Sequence, residues 1–223
     1  MGVLSPNENK TDEKAIRFEL ANSKNLLLIF TRNPELGKCK TRLAATVGKN
    51  VALDIYKFLL QHTANITKSI YATKQVFYSE EIWEKDTWDT STYSKKIQKG
   101  TDLGERMFNA FNDGFNSGFE HIIVIGSDMY DLSTEDIENA FIHLNTNDYV
   151  IGPAIDGGYY LLGMKTPNSK LFKNKEWGTN TVLKSTLNDL KNTKTHILEA
   201  KNDVDVYEDI KDIEAFKPFI KNV

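Results

Sequence analysis

The sequence predicts an α/β fold, a single domain built on a mainly parallel mixed sheet flanked by helices. Three observations carry that expectation. Short apolar blocks such as LLLIF and HIIVIG alternate with segments whose apolar residues recur every three or four positions. The blocks have almost no polar residues, as strands covered on both faces require. No repeat or linker divides the 223 residues, a length suited to one such domain.

The elements follow in order. Residues 1–23 are polar and read as a flexible lead-in to a domain over 24–223. Residues 26–31 (LLLIFT) read as a buried strand. Leu43, Val47, Val51, Ile55 and Leu59 recur every four positions and predict one helix with one apolar face. Residues 76–78 form a short strand, and the charged, Ser/Thr-rich stretch 80–99 reads as an excursion across the surface. Asp102-x-x-Glu105 has capping-box spacing and opens a helix with Met107, Phe108, Phe111 and Phe115 turned inward. Residues 121–126 are another buried strand, and Ser133-x-x-Asp136 caps the helix carrying Ile137, Ala140, Phe141 and Leu144. Residues 149–151 and 159–164 are strands joined through a Gly-rich turn. Leu183, Leu187 and Leu190 mark a helix and 195–198 a short strand. Asp205, three before Glu208, has the position of an N-cap for a last helix.

Composition narrows the function. Lys plus Arg number 28 against 31 Asp plus Glu, a formal charge of −3, which predicts no binding to nucleic-acid polymers or anionic membranes. No apolar run approaches the roughly 20 residues of a membrane span, and no signal-peptide core is visible near the start. One cysteine, Cys39, forms neither an internal disulfide nor a Cys-based zinc site, and the four histidines lack ligand spacing. The expected setting is cytoplasmic. A homodimer is left open, since periodicity does not separate a buried face from a dimer face.

Within this neutral total, charge is locally separated. The first strand runs into TRNPELGKCKTRLA, where Thr31 and Arg32 open a turn also holding Lys38, Lys40 and Arg42. A cation-lined loop at a strand's carboxyl end has the ingredients of a polyphosphate site, although a solvated basic loop has the same composition. Asp128 and Asp131 follow the strand HIIVIG. Hard carboxylate oxygens at such an edge suit Mg²⁺ or Mn²⁺ held against substrate phosphates, while Asp is also a favoured turn residue. Asp156, Gly157 and Gly158 form a tight turn that lets a ligand approach the backbone. Asp203 lacks even a capping role, and Trp177 before Gly178 and Thr179 suits a site wall.

The stretches LLLIFTRNPELGKCKTRLA, GTDLGERM, VIGSDMYDLS, VIGPAIDGGYYLLGM, WGTNTVL and NDVDVYEDI, in this order, resemble the DUF2064 family. That family is similar to GT-A nucleotide-diphospho-sugar transferases and to nucleotidyltransferases. The resemblance implies a GT-A-like fold and a metal-dependent glycosyltransferase using a nucleotide-diphospho-sugar donor and Mg²⁺ or Mn²⁺. Its alternatives are a nucleotidyltransferase joining an NTP to a phosphorylated small molecule, and a catalytically silent nucleotide-binding protein. It assigns Arg32, Lys38, Lys40 and Arg42 to phosphates, with Thr31 beside them, and Gly100, Asp102 and Gly104 to the base or ribose. Asp128 and Asp203, with Asp205 alongside, would hold the metal. Asp156 would be the base and Gly157, Gly158 and Trp177 the acceptor side. The chain departs from the family at Met129-Tyr130 (usually Cys-Pro), Val206-Tyr207 (usually Thr-Pro) and Asn180 (usually Pro), changes that spare the charged positions.

Overall fold

The computed structural model describes residues 23–221. All but Ser23 of the expected lead-in therefore lies outside the described residues. Seven strands form one sheet in the order β3-β2-β1-β4-β6-β5-β7. They are β1 (Asn25–Thr31), β2 (Thr73–Tyr78), β3 (Ser94–Ile97), β4 (His121–Gly126), β5 (Tyr149–Pro153), β6 (Tyr159–Met164) and β7 (Thr195–Ile197). Only β6 runs against its neighbours, pairing antiparallel with β4 and β5, while the other four pairings are parallel. The carboxyl ends of β1, β2, β4 and β5, and the turn that starts β6, therefore share one edge. Ligands of such sheets bind at that edge.

Among the described residues six α-helices complete the fold: α1 (Thr41–Val47), α2 (Lys49–Thr67), α3 (Leu103–Asn116), α4 (Thr134–Leu144), α5 (Val182–Asp189) and α6 (Lys217–Ile220). The alternation of β1 supplies both faces of the core. Leu27 and Ile29 pack with Tyr56 and Leu60 of α2 and with Ile137 and Phe141 of α4. Leu26 and Leu28 pack on the other face with Met107 and Phe111 of α3. Each such side chain, fully buried, contributes about 1.5–3 kcal/mol. A third cluster joins Leu43, Ile55 and Leu59 to Val204, Ile210 and Phe216. It draws the C-terminal segment back over α1 and α2.

Three sequence expectations change. The run from Leu43 to Leu59 is two helices, broken at Gly48, whose φ of 84° a helix cannot hold. The excursion at 80–99 contains the edge strand β3 and two buried aromatics, Trp88 and Tyr93. Tyr93 bonds Thr67 Oγ1 and the Ala64 carbonyl, both at 2.8 Å, stapling the excursion to α2. Asp205 caps no helix. The carboxylate of Asp209 accepts from the backbone N–H groups of Asp205 and Val206 instead, at 2.8 and 2.7 Å.

Candidate functional site

At the carboxyl edge of β1 and β4 a cleft of about 760 Å³ opens, lined by the loop after β1, the start of α3 and Asp128. The buried triad Thr31, Tyr56 and Ser127 fixes its floor. Ser127 Oγ donates to Thr31 Oγ1 at 3.0 Å, and the Tyr56 hydroxyl bonds both the N–H and the carbonyl of Arg32. Buried Asn33 donates to the Glu81 carbonyl at 2.8 Å, tying the basic loop to the segment after β2. Cys39 is buried and donates to the Glu35 carbonyl. Burial pushes its thiol pKa up against the pull of its own backbone hydrogen bond and nearby Lys40, Arg32 and Lys57. Burial and the raised pKa both disfavour its thiolate form.

Lys40 is the centre of the cleft's charge. Its backbone is left-handed, with φ 48° and ψ 47°, a strained state for a side chain other than Gly or Asn. That turn brings Nζ to 2.7 Å from Asp128 Oδ2, with the Lys40 side chain only 7% exposed. Burial alone would lower the ammonium pKa. The charge and hydrogen bond of Asp128, helped by Asp205 and Asp203, outweigh it and leave the pKa above the ordinary lysine value. The pair with Asp128 thus favours the charged form of Lys40.

The C-terminal segment adds carboxylates. Val204 is buried in the third cluster; its neighbour Asp205 lines the cleft, and Asp203 on its other side is near enough to act on Lys40. Arg42 Nη1 lies 2.5 Å from Asp205 Oδ2 in an exposed pair. Burial raises the Asp203 pKa, and the charges of Asp156 and Asp128 raise it further against the pull of Lys40. Three carboxylates thus crowd one ammonium.

The sequence-predicted residues divide accordingly. Thr31, Arg32, Lys38, Lys40, Asp102, Asp128 and Asp205 line the cleft. Lys38 is also paired with Glu35 at 2.8 Å. Asp102 caps α3, accepting from the Glu105 N–H at 2.8 Å. Arg42 faces Asp205 from outside the cleft wall. Gly100 and Gly104 do not line it. Gly100 packs against Arg106 and Glu105, and Gly104 makes room for Phe172 and the Trp177 indole. Asp156, Gly158 and Trp177 line a second recess joined to the cleft at Phe30 and Leu103. Gly157 lies beneath it, against Asn180. Asp131 is exposed and outside the cleft lining.

Sequence reasoning passed over Arg106 and Gln98, both in the cleft wall. Arg106 Nε donates to the Gly100 carbonyl at 3.1 Å, which aims its guanidinium along the wall. Its place within GTDLGERM, one turn into a capped helix, was the available signal.

The donor set fits a divalent cation in chemistry. Asp128, Asp203 and Asp205 carry hard oxygens, and burial first, then the charges of Asp156 and Asp128, raise the Asp203 pKa. Among the described residues no three His, Cys, Asp or Glu side chains converge closely enough to hold a metal by themselves. A bound ion would need substrate oxygens to complete its shell.

Residues 62–179, just over half of the chain, match the model of the family described as "Uncharacterized protein conserved in bacteria (DUF2064)". The chain belongs to the DUF2064 family. The matched span of this DUF2064 protein contains Asp102, Arg106, Asp128 and Asp156 and excludes the basic loop and Asp203. No curated protein matches the sequence. Its structure is similar to a solved one named "putative nucleotide-diphospho-sugar transferase", from Desulfovibrio desulfuricans G20. The two are 27% identical with a TM-score of 0.80, over 89% of this chain and 94% of that one. A cytidylyltransferase from Leptospira borgpetersenii shares the fold at 13% identity and TM-score 0.54, over 91% and 98% of the two chains. So does 4-diphosphocytidyl-2C-methyl-D-erythritol synthase from Anaerococcus prevotii, at 12% and 0.55, over 90% and 99%. This is a nucleotide-diphospho-sugar transferase-like fold. Among the described residues no helix is long and apolar enough to cross a membrane.

Proposed function

We propose that this DUF2064 protein is a metal-dependent glycosyltransferase using a nucleotide-diphospho-sugar donor. The observation that carries the reading is the juxtaposition around Lys40. Arg32, Lys38, Lys40, Arg106, Asp128 and Asp205 line one cleft, and Asp203 is close enough to feel the charges of Asp156, Lys40 and Asp128. Cations of this kind bind a diphosphate through charge-assisted hydrogen bonds, roughly twice as strong as neutral ones.

In the reaction the bond from the sugar's anomeric carbon to the diphosphate oxygen breaks, and its electron pair leaves with the nucleoside diphosphate. The acceptor oxygen forms the new bond to that carbon. Lys40 and Arg106 orient the diphosphate and stabilise the charge it gains. Asp128 and Asp203, with Asp205 beside them, would hold Mg²⁺ or Mn²⁺, which when bound neutralises the same developing charge. Asp156 takes the acceptor's hydroxyl proton if configuration inverts. Its Oδ1 accepts from the Gly158 N–H at 2.8 Å, and Oδ2 has no partner among the described residues.

Incubation with UDP- and GDP-sugars, and separately with NTPs, each with Mg²⁺ or Mn²⁺, tests the reading. Release of nucleoside diphosphate from a nucleotide sugar is expected. Pyrophosphate release from an NTP with a phosphorylated acceptor would replace glycosyl by nucleotidyl transfer. Binding without turnover would leave a silent nucleotide-binding protein.

A further inference from the structure

The second recess has a volume of about 220 Å³ and a chemistry unlike the cleft's. Phe30, Met107, Tyr159 and Trp177 form its apolar walls. Tyr159 and Trp177 meet edge to face at 6.4 Å and 86°. Gly104 is what lets the indole seat there, since a Cβ at that position would come within 2.6 Å of Trp177 Nε1. The indole N–H makes no hydrogen bond among the described residues, and Asp156 is the only acid in the lining. Among the described residues no lysine, arginine or histidine lines the recess. Lysines of nearby segments are engaged elsewhere: Lys175 binds Asp189 at 2.5 Å and Ser185 at 2.9 Å, and Lys201 binds Asp136 at 3.1 Å.

We infer that the acceptor is an uncharged hydroxyl compound that lays one apolar ring face on Trp177, and not a phosphomonoester. The inference rests on the glycosyl-transfer reading. Aromatic walls reward a ring or a sugar's apolar face. A phosphate dianion entering beside Asp156 would lose its hydration, find no cation and meet a carboxylate of its own sign. The cleft's cations are spent on the donor's diphosphate. A hydroxyl, by contrast, donates to Asp156 Oδ2 and needs no counter-charge.

The test uses the full chain and no donor. Phenyl glucoside and its phosphomonoester are titrated separately, followed by ligand-observed NMR, with Trp177→Ala and Trp177→Phe alongside. The neutral glucoside is expected to bind at least about tenfold more tightly than its phosphomonoester. Trp177→Ala weakens it by about fivefold or more, and Trp177→Phe retains most of the affinity. Thr179→Lys, at the exposed rim, shifts preference toward the phosphomonoester. The inference is overturned if the neutral compound shows no saturable binding, if the phosphomonoester binds as well, or if Trp177→Ala changes nothing. A separate calorimetric titration with nucleotide sugars reads the donor side. Its failure removes the glycosyl-transfer reading and the acceptor role with it, whereas failure at the recess leaves donor binding intact.

Discussion

Lys40 Nζ and Asp128 Oδ2 meet at 2.7 Å across 88 residues of sequence, joining the loop after β1 to the end of β4. The contact forms because Lys40 takes a left-handed turn that its side chain disfavours. A buried ammonium with one bond to a carboxylate keeps two further donors for phosphate oxygens. Lys40→Met is expected to weaken nucleoside diphosphate binding by about tenfold to a hundredfold, from the roughly 1.5–3 kcal/mol of a charged hydrogen bond. Isothermal calorimetry measures it; unchanged affinity would remove Lys40 from the proposed phosphate site.

Arg106 and Arg42 separate a cleft cation from a rim cation. Arg106 lines the cleft, while the Arg42 side chain is 74% exposed and faces Asp205. Arg106→Ala should lower nucleotide affinity by about tenfold or more. Arg42→Ala should change stability by less than about 1 kcal/mol, as exposed ion pairs do. Equal losses of nucleotide affinity in the two variants would count against this division.

What the sequence made legible follows from burial. Strands such as His121–Gly126 were readable because both faces are covered and few polar residues interrupt them. β3, with the sequence SKKI, was not, since an edge strand with half-exposed lysines has no apolar period. The break at Gly48 was hidden because Val47 and Val51 keep the four-residue spacing across it. The basic loop and Asp128 announced themselves by type and position. Arg106 did not, because one arginine on a helix is ordinary until its neighbours are placed. That Asp205 faces Arg42 and is no cap depends on the third hydrophobic cluster, which spans the two ends of the domain.

Gly157 and Gly178 both have positive φ, 92° and 81°, but only one is crowded. A Cβ at Gly157 would stand 2.4 Å from the Asn180 carbonyl oxygen, whereas among the described residues nothing lies within 4 Å of one at Gly178. The Gly157 carbonyl also accepts from the Leu183 N–H at 2.9 Å, fixing the start of α5. Gly178→Ala should cost about 1 kcal/mol for backbone strain alone. Gly157→Ala should exceed it by about 2 kcal/mol or more, since backbone must also move. Urea denaturation of the two variants makes the comparison, and equal costs would refute the packing argument.

Lys95 clamps the excursion that follows β2. Its Nζ bonds Asp86 Oδ1 at 2.8 Å and the carbonyls of Trp83 and Glu84 at 2.6 and 3.2 Å. The side chains of Lys95 and Asp86 are 5% and 12% exposed. Removing Lys95 leaves the half-buried Asp86 carboxylate without its counter-charge, held only by the Tyr78 hydroxyl and the Trp88 N–H, so Lys95→Met should destabilise by about 3 kcal/mol. Lys95→Met with Asp86→Leu should recover part of that loss, because no buried charge is then left alone. A double variant no more stable than Lys95→Met alone would show that the carbonyl bonds, not the ion pair, hold the loop.

Asp203 ties stability to pH and, on the proposed function, to a metal. Burial, Asp156 and Asp128 raise its folded pKa above 3.8. A carboxyl whose pKa rises on folding favours the native state most below its unfolded pKa. That contribution is lost as pH climbs through the raised folded value, because the fold then holds a charge it disfavours. Asp203→Asn should therefore raise Tm at pH 7, and its advantage should shrink as pH falls toward 4 and below. Mn²⁺ acts in the opposite sense to the mutation's benefit: by compensating the carboxylates it should raise the Tm of the wild-type chain more than that of Asp203→Asn. Thermal melts across pH, with and without Mn²⁺, read both effects. An Asp203→Asn protein less stable than wild type at pH 7 would contradict the charge crowding, and equal Mn²⁺ shifts in the two proteins would take Asp203 out of the proposed metal site.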